Sequence, residues 1–154
     1  MAEEEHSLYQ ATVQLLGGPR VLHLRREIDS DVDVHDLVSR GIPGEAMMKF
    51  FKGLTTTPFE KVLKVMRISL RTFARRKTAP KKRLPPDESE RLWRYAEIMA
   101  LATRAFGSQE AAEEWLNQPA LGLRWEKPID WMKTEPGADY VETYLWRIRY
   151  GVYT

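Results

Sequence analysis

The sequence has 154 residues, with 24 Lys and Arg against 22 Asp and Glu, and it contains no cysteine. The absence of cysteine excludes a disulfide framework, a cysteine-based zinc site and a thiol nucleophile. No apolar run approaches the roughly 18 residues that a membrane span needs, and residues 1–6 are acidic where a signal peptide would be basic. We therefore expect one or two small domains, no membrane partner and a cytoplasmic location.

The near-neutral total charge hides an uneven distribution. Residues 61–83 contain ten Lys and Arg and no Asp or Glu, whereas residues 1–60 hold 6 basic and 10 acidic side chains and residues 84–154 hold 8 and 12. Charge concentrated in this way repels itself unless an anion meets it, and the phosphate backbone of a nucleic acid is the anion that it fits best. The alternative is a solvated basic linker.

The first 40 residues give the weakest signals. Their apolar spacing predicts a short helix over 7–16, which a Gly-Gly-Pro sequence ends. A second short helix is predicted over 34–40, with Asp33 as its N-cap and Gly41 as its stop. We treat residues 1–40 as an N-terminal extension of unassigned role.

Two capped helices follow another short helix in the middle of the chain. Thr57 and Glu60 have the spacing of a capping box, and Ser69 is the predicted N-cap of a helix over 70–77. Two capped helices joined by about three residues have the spacing of a helix-turn-helix. Residues 78–86 contain three prolines and are either a linker or a tight turn.

The second helix of this motif is rich in cations. In a helix-turn-helix, the N-terminal residues of the second helix reach base edges while flanking cations hold phosphates. We expect Leu70 and Phe73 on its core side, and the alternative is an ordinary amphipathic helix with a solvated basic face. The predicted DNA-binding residues are Ser69, Arg71, Thr72, Arg75, Arg76, Lys77, Lys81 and Lys82.

The rest of the chain also has helical patterns. Helices are predicted over 87–106 and 109–117, a helical turn over 128–132, and a last helix that starts after Thr134 and ends at Gly151. The strand signal is negligible. We therefore predict an all-α protein, with a helix-turn-helix region followed by a small helical domain.

The end of the chain is unusually aromatic. Residues 144–154 contain three Tyr, one Trp and two Arg, the residue types that dominate protein interfaces. Such an end either folds back on its own core or docks on a partner. Self-packing of the last helix explains residues 144–148 more readily than residues 150–153.

Catalytic chemistry has little support in the sequence. His6, His23 and His35 show no ligand spacing, and the acidic clusters are typical of solvated helix faces. We see no nucleophile with a matching base. We expect no enzyme activity, no cofactor and no metal.

A set of collinear motifs covers residues 42–153. They are IPGEA at 42–46, TFARR at 72–76, LPPDESERL at 84–92, FG at 106–107, AEEWLNQPALG at 112–122, PID at 128–130, TEPGA at 134–138 and RIRYGVY at 147–153. Together they resemble the Xre-type antitoxins of RES–Xre toxin–antitoxin modules, the Xre/MbcA/ParS group. The last third of the chain carries the specific part of the resemblance.

The resemblance implies an antitoxin with two tasks. Its C-terminal domain, 87–154, would cover the active-site cleft of a RES-domain toxin, an enzyme that degrades NAD. Its helix-turn-helix region, 41–86, would bind operator DNA and repress the operon. A homodimer is expected, with its surface on the apolar excess of residues 45–53 and 87–106. The residues carried over as the toxin-binding plug are Arg147, Arg149, Tyr150, Gly151, Val152 and Tyr153.

The chain departs from the family at one loop. The family usually runs A-L-G-G-x-x-P, whereas here Leu123 replaces the second glycine and the loop over 121–128 is longer. Two other functions stay open. One is a stand-alone helix-turn-helix transcription regulator with a C-terminal dimerisation domain, and the other is an RNA-binding or structural adaptor.

Overall fold

The computed structural model describes residues 2–151. Within that range it contains helices and two isolated β-bridges but no strand, so the all-α prediction is confirmed. None of the described helices combines the length and the apolar character that a bilayer crossing requires. The helices are α1 (Ala2–Leu15), α2 (Asp31–Arg40), α3 (Gly44–Lys52), α4 (Phe59–Met66), α5 (Leu70–Lys77), α6 (Pro86–Phe106), α7 (Gln109–Leu116), α8 (Pro128–Trp131) and α9 (Glu135–Arg149), with a 3-10 turn over Leu121–Leu123.

Helix α6 forms the centre of the fold. Its predicted apolar face is buried, including Leu92 and Ala96, but burial also extends over every residue of 98–102. Five consecutive residues cover more than one full helical turn, so neighbours surround α6 on all sides. Those neighbours are α1, α2, α7 and α9. The apolar excess of residues 87–106, where we expected a dimer surface, is therefore already covered within the chain.

The N-terminal extension belongs to the same core. Helix α1 begins earlier than predicted and buries Leu8 and Val13, packing against α6. Arg104 of α6 donates a hydrogen bond of 3.0 Å to the carbonyl oxygen of Glu4. The described part of this extension, residues 2–40, thus supplies one wall of the helical bundle.

Helix α2 has a different N-cap from the predicted one. The hydroxyl oxygen of Ser30 accepts a hydrogen bond from the amide of Asp33 at 3.3 Å, which makes Ser30 the cap. The carboxylate of Asp33 accepts from the amide of Asp29 at 2.9 Å. The prediction of Asp33 as the cap was wrong because Asp33 lies inside the first turn, where its amide is the group that Ser30 caps.

The capping box predicted at Thr57 and Glu60 does not form. Helix α4 starts after Pro58, which makes no side-chain cap bond. The amide of Thr57 instead donates to Oε1 of Glu113 at 2.8 Å, and its hydroxyl accepts from Nδ2 of Asn117 at 3.1 Å. Bonds to α7 therefore replace the local bond, and local spacing does not reveal them.

The segment between α5 and α6 is a tight turn, not a linker. The amides of Gly44 and Glu45, at the start of α3, donate to the carbonyl oxygens of Lys82 and Pro80 at 2.9 and 2.7 Å. These bonds satisfy amides that a helix start otherwise leaves free. They also fix the cationic turn to the start of α3.

Candidate functional site

The basic segment forms an exposed surface on α5 and on the turn that follows it. Helix α5 starts at Ser69, whose hydroxyl accepts a hydrogen bond from the amide of Thr72 at 3.1 Å, as predicted. Ser69 is exposed and Thr72 is half-buried. Five of the predicted DNA-binding cations are exposed, and we call them the basic surface: Arg71, Arg75, Lys77, Lys81 and Lys82.

One aromatic side chain holds α5 against the helices before it. The ring of Phe73 lies 5.3 Å from that of Phe51 and 5.6 Å from that of Phe59, measured between centroids. Phe73 is therefore on the core side, as predicted. The same prediction was wrong for Leu70, which is 62% exposed. Leu70 lies one turn before Phe73, at the start of the helix, where this aromatic cluster leaves it largely uncovered.

Arg76 differs from the other predicted DNA-binding cations. Its Nε and Nη2 donate to Oε1 and Oε2 of Glu88 at 3.2 and 2.8 Å, and both side chains are largely buried. The hydrogen bond with Glu88 raises the pKa of Arg76. The structure thus joins Arg76 to α6 and does not bring it into the basic surface.

A buried carboxylate joins the helix-turn-helix region to α7. Glu113 accepts hydrogen bonds from the amides of Thr55, Thr56 and Thr57 at 2.8, 3.1 and 2.8 Å, and from the hydroxyl of Thr55 at 2.7 Å. Burial alone would raise the pKa of Glu113, but hydrogen bonds from Thr55 and Thr57 outweigh it and lower the pKa to about 2. The loop between α3 and α4 is therefore anchored to α7 by an ionised side chain.

The predicted toxin-binding segment begins in the last turn of α9. The hydroxyl of Tyr150 donates to Oε2 of Glu4 at 2.6 Å, and its ring stacks on Trp146 with centroids 5.6 Å apart. Nε of Arg149 lies 3.0 Å from Oε1 of Glu4. The hydrogen bond between Tyr150 and Glu4 raises the pKa of Tyr150 and lowers that of Glu4. Arg149 and Tyr150 are both still exposed, so the segment is attached to α1 but accessible.

Arg147 is exposed one turn before Gly151 and borders two grooves. The larger, of about 720 Å³, lies between α1, α6 and α9, and Trp146 is part of its wall. The smaller runs along α9. Gly151 follows the helix end with φ of 68°, as its predicted role as the stop requires. The predicted residues Val152 and Tyr153 lie outside the described residues.

Two glycines of the C-terminal motifs permit close packing. A Cβ on Gly122 would lie 2.1 Å from the ring of Tyr144, and a Cβ on Gly137 would lie 1.9 Å from the carbonyl oxygen of Trp131. Both positions therefore exclude a side chain. Leu123 is fully buried. The loop over 121–128 is thus anchored to the core through Leu123.

The fold and these surfaces define a class of protein. The chain carries a helix-turn-helix with an exposed basic surface, whose second helix is capped by Ser69. A helical C-terminal region is fastened to it through Glu113 and α6. Residues 33–97 match the family model of the antitoxin Xre-like helix-turn-helix domain. Residues 101–151 match that of the antitoxin Xre/MbcA/ParS C-terminal toxin-binding domain. The two matched regions meet within α6, which both domains share.

Curated relatives agree with both matches. The chain is 31% identical to antitoxin Xre of Pseudomonas putida over 81% of this chain and 76% of the relative. It is 32% identical to antitoxin Xre of Photorhabdus laumondii over 59% of this chain and 62% of that relative, and 33% identical to antitoxin Xre of Yersinia enterocolitica over 63% and 66%. The chain therefore belongs to the Xre antitoxin family, and the resemblance read from its motifs is confirmed.

Three features of these surfaces were not predicted from the sequence. Glu4 contacts both Arg149 and Tyr150, Glu113 anchors the loop of the helix-turn-helix, and Trp125 is 66% exposed. The run of three acids at the start of α1 is a weak sequence signal for the first of these contacts, since acids in a first helical turn are common for local reasons. The other two features depend on tertiary structure.

Proposed function

We propose that this antitoxin neutralises a RES-type, NAD-degrading toxin with residues 147–153, and that a homodimer of it represses its own operon through the basic surface. The observation that carries the toxin assignment is the position of Arg147, Arg149 and Tyr150. All three are exposed at the end of the matched toxin-binding domain. Aromatic and arginine side chains at such a place are the usual anchors of a tight interface.

The nucleotide chemistry of the toxin fits these residues. A site that binds NAD holds its phosphates, and a guanidinium placed at its mouth either pairs with acids of the toxin or excludes the substrate. Arg147 and Arg149 are the two cations of α9's last turn. Arg149 reaches the toxin only by exchanging its partner Glu4, whereas Arg147 is available from the exposed face.

The DNA assignment depends on the basic surface. Its five cations lie on α5 and the adjacent turn, and Ser69 and Thr72 stand at the N-terminus of α5, where backbone amides attract phosphate. Helix-turn-helix proteins place this end of the second helix in the major groove. Operators with two half-sites require two such helices, which is why we propose a homodimer.

A crossed pair of variants tests the two tasks separately. A chain lacking residues 150–154 should fail to rescue growth when co-expressed with the RES-domain toxin proposed as its cognate partner, while its gel-shift with operator DNA is retained. The double variant R71A/R75A should rescue growth fully but lose the gel-shift. Rescue by the shortened chain would contradict the plug, and an unchanged gel-shift of R71A/R75A would contradict the assigned DNA surface.

A further inference from the structure

The loop between the 3-10 turn and α8 displays a large apolar side chain. Of the seven large hydrophobic side chains exposed on the described part of the chain, four lie between residues 121 and 150, and Leu121 and Trp125 are the most exposed of these at 69% and 66%. Monomeric proteins do not commonly expose a tryptophan to this extent, and tryptophan is enriched at the centres of interfaces. The position of Trp125 therefore indicates a contact surface.

The backbone holds this loop in one conformation. Ala120 and Glu126 are bridged, since the amide of Ala120 donates to the carbonyl oxygen of Glu126 at 3.0 Å. The amides of Trp125 and Glu126 donate to the carbonyl oxygens of Ala120 and Leu123 at 3.0 and 2.9 Å. Leu123 is fully buried beneath them. A loop fixed in this way loses little conformational freedom when a partner binds it.

Two neighbouring residues adopt a conformation that bulky side chains rarely take. Arg124 and Trp125 both have left-handed backbones, with φ of 56° and 59°. Glycine adopts this region without cost, whereas residues with a Cβ are strained there. The guanidinium carbon of Arg124 lies 5.1 Å from the centre of the Trp131 ring, a cation–π contact that helps to hold the turn. The chain keeps a strained turn whose consequence is an exposed Trp125.

Two shallow grooves lie between Arg124 of this loop and the proposed plug. One shallow groove includes Arg124, Trp131 and Tyr140, and a second includes Tyr140 and Arg147, so that Tyr140 belongs to both. On α9, Tyr140 and Arg147 lie two helical turns apart on one face. Trp131 and Tyr140 also pack together, with ring centroids 5.1 Å apart. These two grooves thus connect Arg124 of the loop with Arg147 in the last turn of α9.

We propose that Trp125 and Leu121 form a second contact with the toxin, outside its active site, which strengthens binding. This inference rests on the proposed toxin-binding function. Two observations favour the toxin as the occupant. The loop lies inside the matched toxin-binding domain, and its Arg124 lines a groove that shares Tyr140 with the groove bordered by Arg147.

The test compares W125A with L70A. Leu70 is similarly exposed, at 62%, but lies outside the toxin-binding domain. The affinity of each full-length chain for the purified RES-domain toxin, the proposed cognate partner, is measured by biolayer interferometry. We expect W125A to bind at least about tenfold more weakly, mainly through faster dissociation, and L70A to bind as the parent chain does. Equal affinities of W125A and L70A would overturn the inference.

Two further measurements separate the possible failures. Alanine is strained in the left-handed region as tryptophan is, so W125A should have the same thermal midpoint as the parent chain. If the midpoint of W125A is lower, the affinity comparison is made with L121A instead, because Leu121 lies outside the strained turn. If the parent chain does not bind the RES-domain protein at all, the proposed function fails. If the parent chain binds and the loop variants bind with the same affinity, the toxin-binding function is supported and the second contact is refuted.

Discussion

Arg75 and Arg76 are adjacent in α5 but lie in opposite environments. Arg75 is exposed on the basic surface, whereas Arg76 is 15% exposed and bound through two hydrogen bonds to Glu88 of α6. One residue step rotates a helix by about 100°, which is enough to turn one guanidinium to solvent and the next to the core. Arg75 and Arg76 look equivalent in the sequence, but we expect their replacement to have different effects on the protein.

Replacing Arg76 should destabilise the fold. Arg76→Ala leaves the carboxylate of Glu88 largely buried without its partner, and breaking a buried pair in this way costs about 3 kcal/mol of unfolding free energy. Urea denaturation monitored by tryptophan fluorescence measures the loss. The control is Lys133→Ala, since Lys133 and Asp130 form a 3.5 Å pair with both side chains about half exposed, and such pairs contribute little. If the two variants had the same free energy of unfolding, the buried pair of Arg76 and Glu88 would contribute no more to stability than the exposed pair of Lys133 and Asp130.

Replacing Arg75 should weaken DNA binding without changing stability. The slope of log affinity against log salt becomes shallower by about 0.9 for each phosphate that the protein no longer neutralises. Arg75→Ala should therefore bind operator more weakly and with a smaller salt dependence. Gel-shifts over a series of salt concentrations measure both. A drop in affinity that came with a lower urea midpoint would instead mean that Arg75 supports the fold.

The sequence predicted the elements whose signals are local. Ser69 is an N-cap in the structure as predicted, and the last helix starts after Thr134 as predicted. Each of these two hydroxyls accepts a hydrogen bond from the amide three residues later. Such bonds join residues within one turn, so they can be recognised from spacing. Thr57 has an equally good local pattern, but its bonds go to Glu113 and Asn117, more than 50 residues away. Tertiary partners of this kind leave no signal at the residue itself.

The functional surfaces also divide into features that the local sequence shows and features that depend on tertiary structure. The cluster of cations could be counted directly, and five of the eight predicted DNA-binding residues are exposed cations of α5 and the turn after it. The pairing of Arg76 with Glu88 could not be inferred, because it depends on how the turn over 78–85 places α6 against α5. The role of residues 1–40 was also missed, since α1 has few strongly periodic apolar residues and is recognised as a wall of the core only once α6 is in place.

Glu113 should make stability depend on acid pH. Its pKa of about 2 in the folded protein is below the ordinary 4.5, so its contribution is fully present above pH 4.5 and is lost as the pH falls towards 2. A difference of this size corresponds to about 3 kcal/mol. Glu113→Gln presents an NH₂ group to donors that need an acceptor, so the variant should be less stable at pH 7, and the gap to the parent chain should narrow below pH 4.5. Urea midpoints between pH 7 and pH 3 measure it.

The control for Glu113 is its neighbour. Glu114 is exposed, and its hydrogen bond is to Gln118 of the same segment. Glu114→Gln should therefore follow the parent chain at every pH. If Glu113→Gln and Glu114→Gln gave the same urea midpoints across the series, the proposed anchor between α7 and the α3–α4 loop would be refuted.

Glu97 should make stability depend on pH in the direction opposite to that of Glu113. Burial, and then the nearby charge of Glu142, raise the pKa of Glu97 to about 7, although its Oε2 accepts a 3.1 Å hydrogen bond from the indole of Trp93. A carboxyl with a raised pKa binds its proton more tightly in the folded state, so stability increases as the pH falls from about 7 towards 4.5. Glu97→Gln resembles the protonated form. At pH 8 this variant should therefore have a higher urea midpoint than the parent chain, with a gain of at most about 3 kcal/mol in the free energy of unfolding. Near pH 5 the two midpoints should be equal. The control is Glu90→Gln, which changes an exposed residue of the same helix. If the urea midpoint of Glu97→Gln at pH 8 were no higher than that of Glu90→Gln, burial would not disfavour the charge of Glu97.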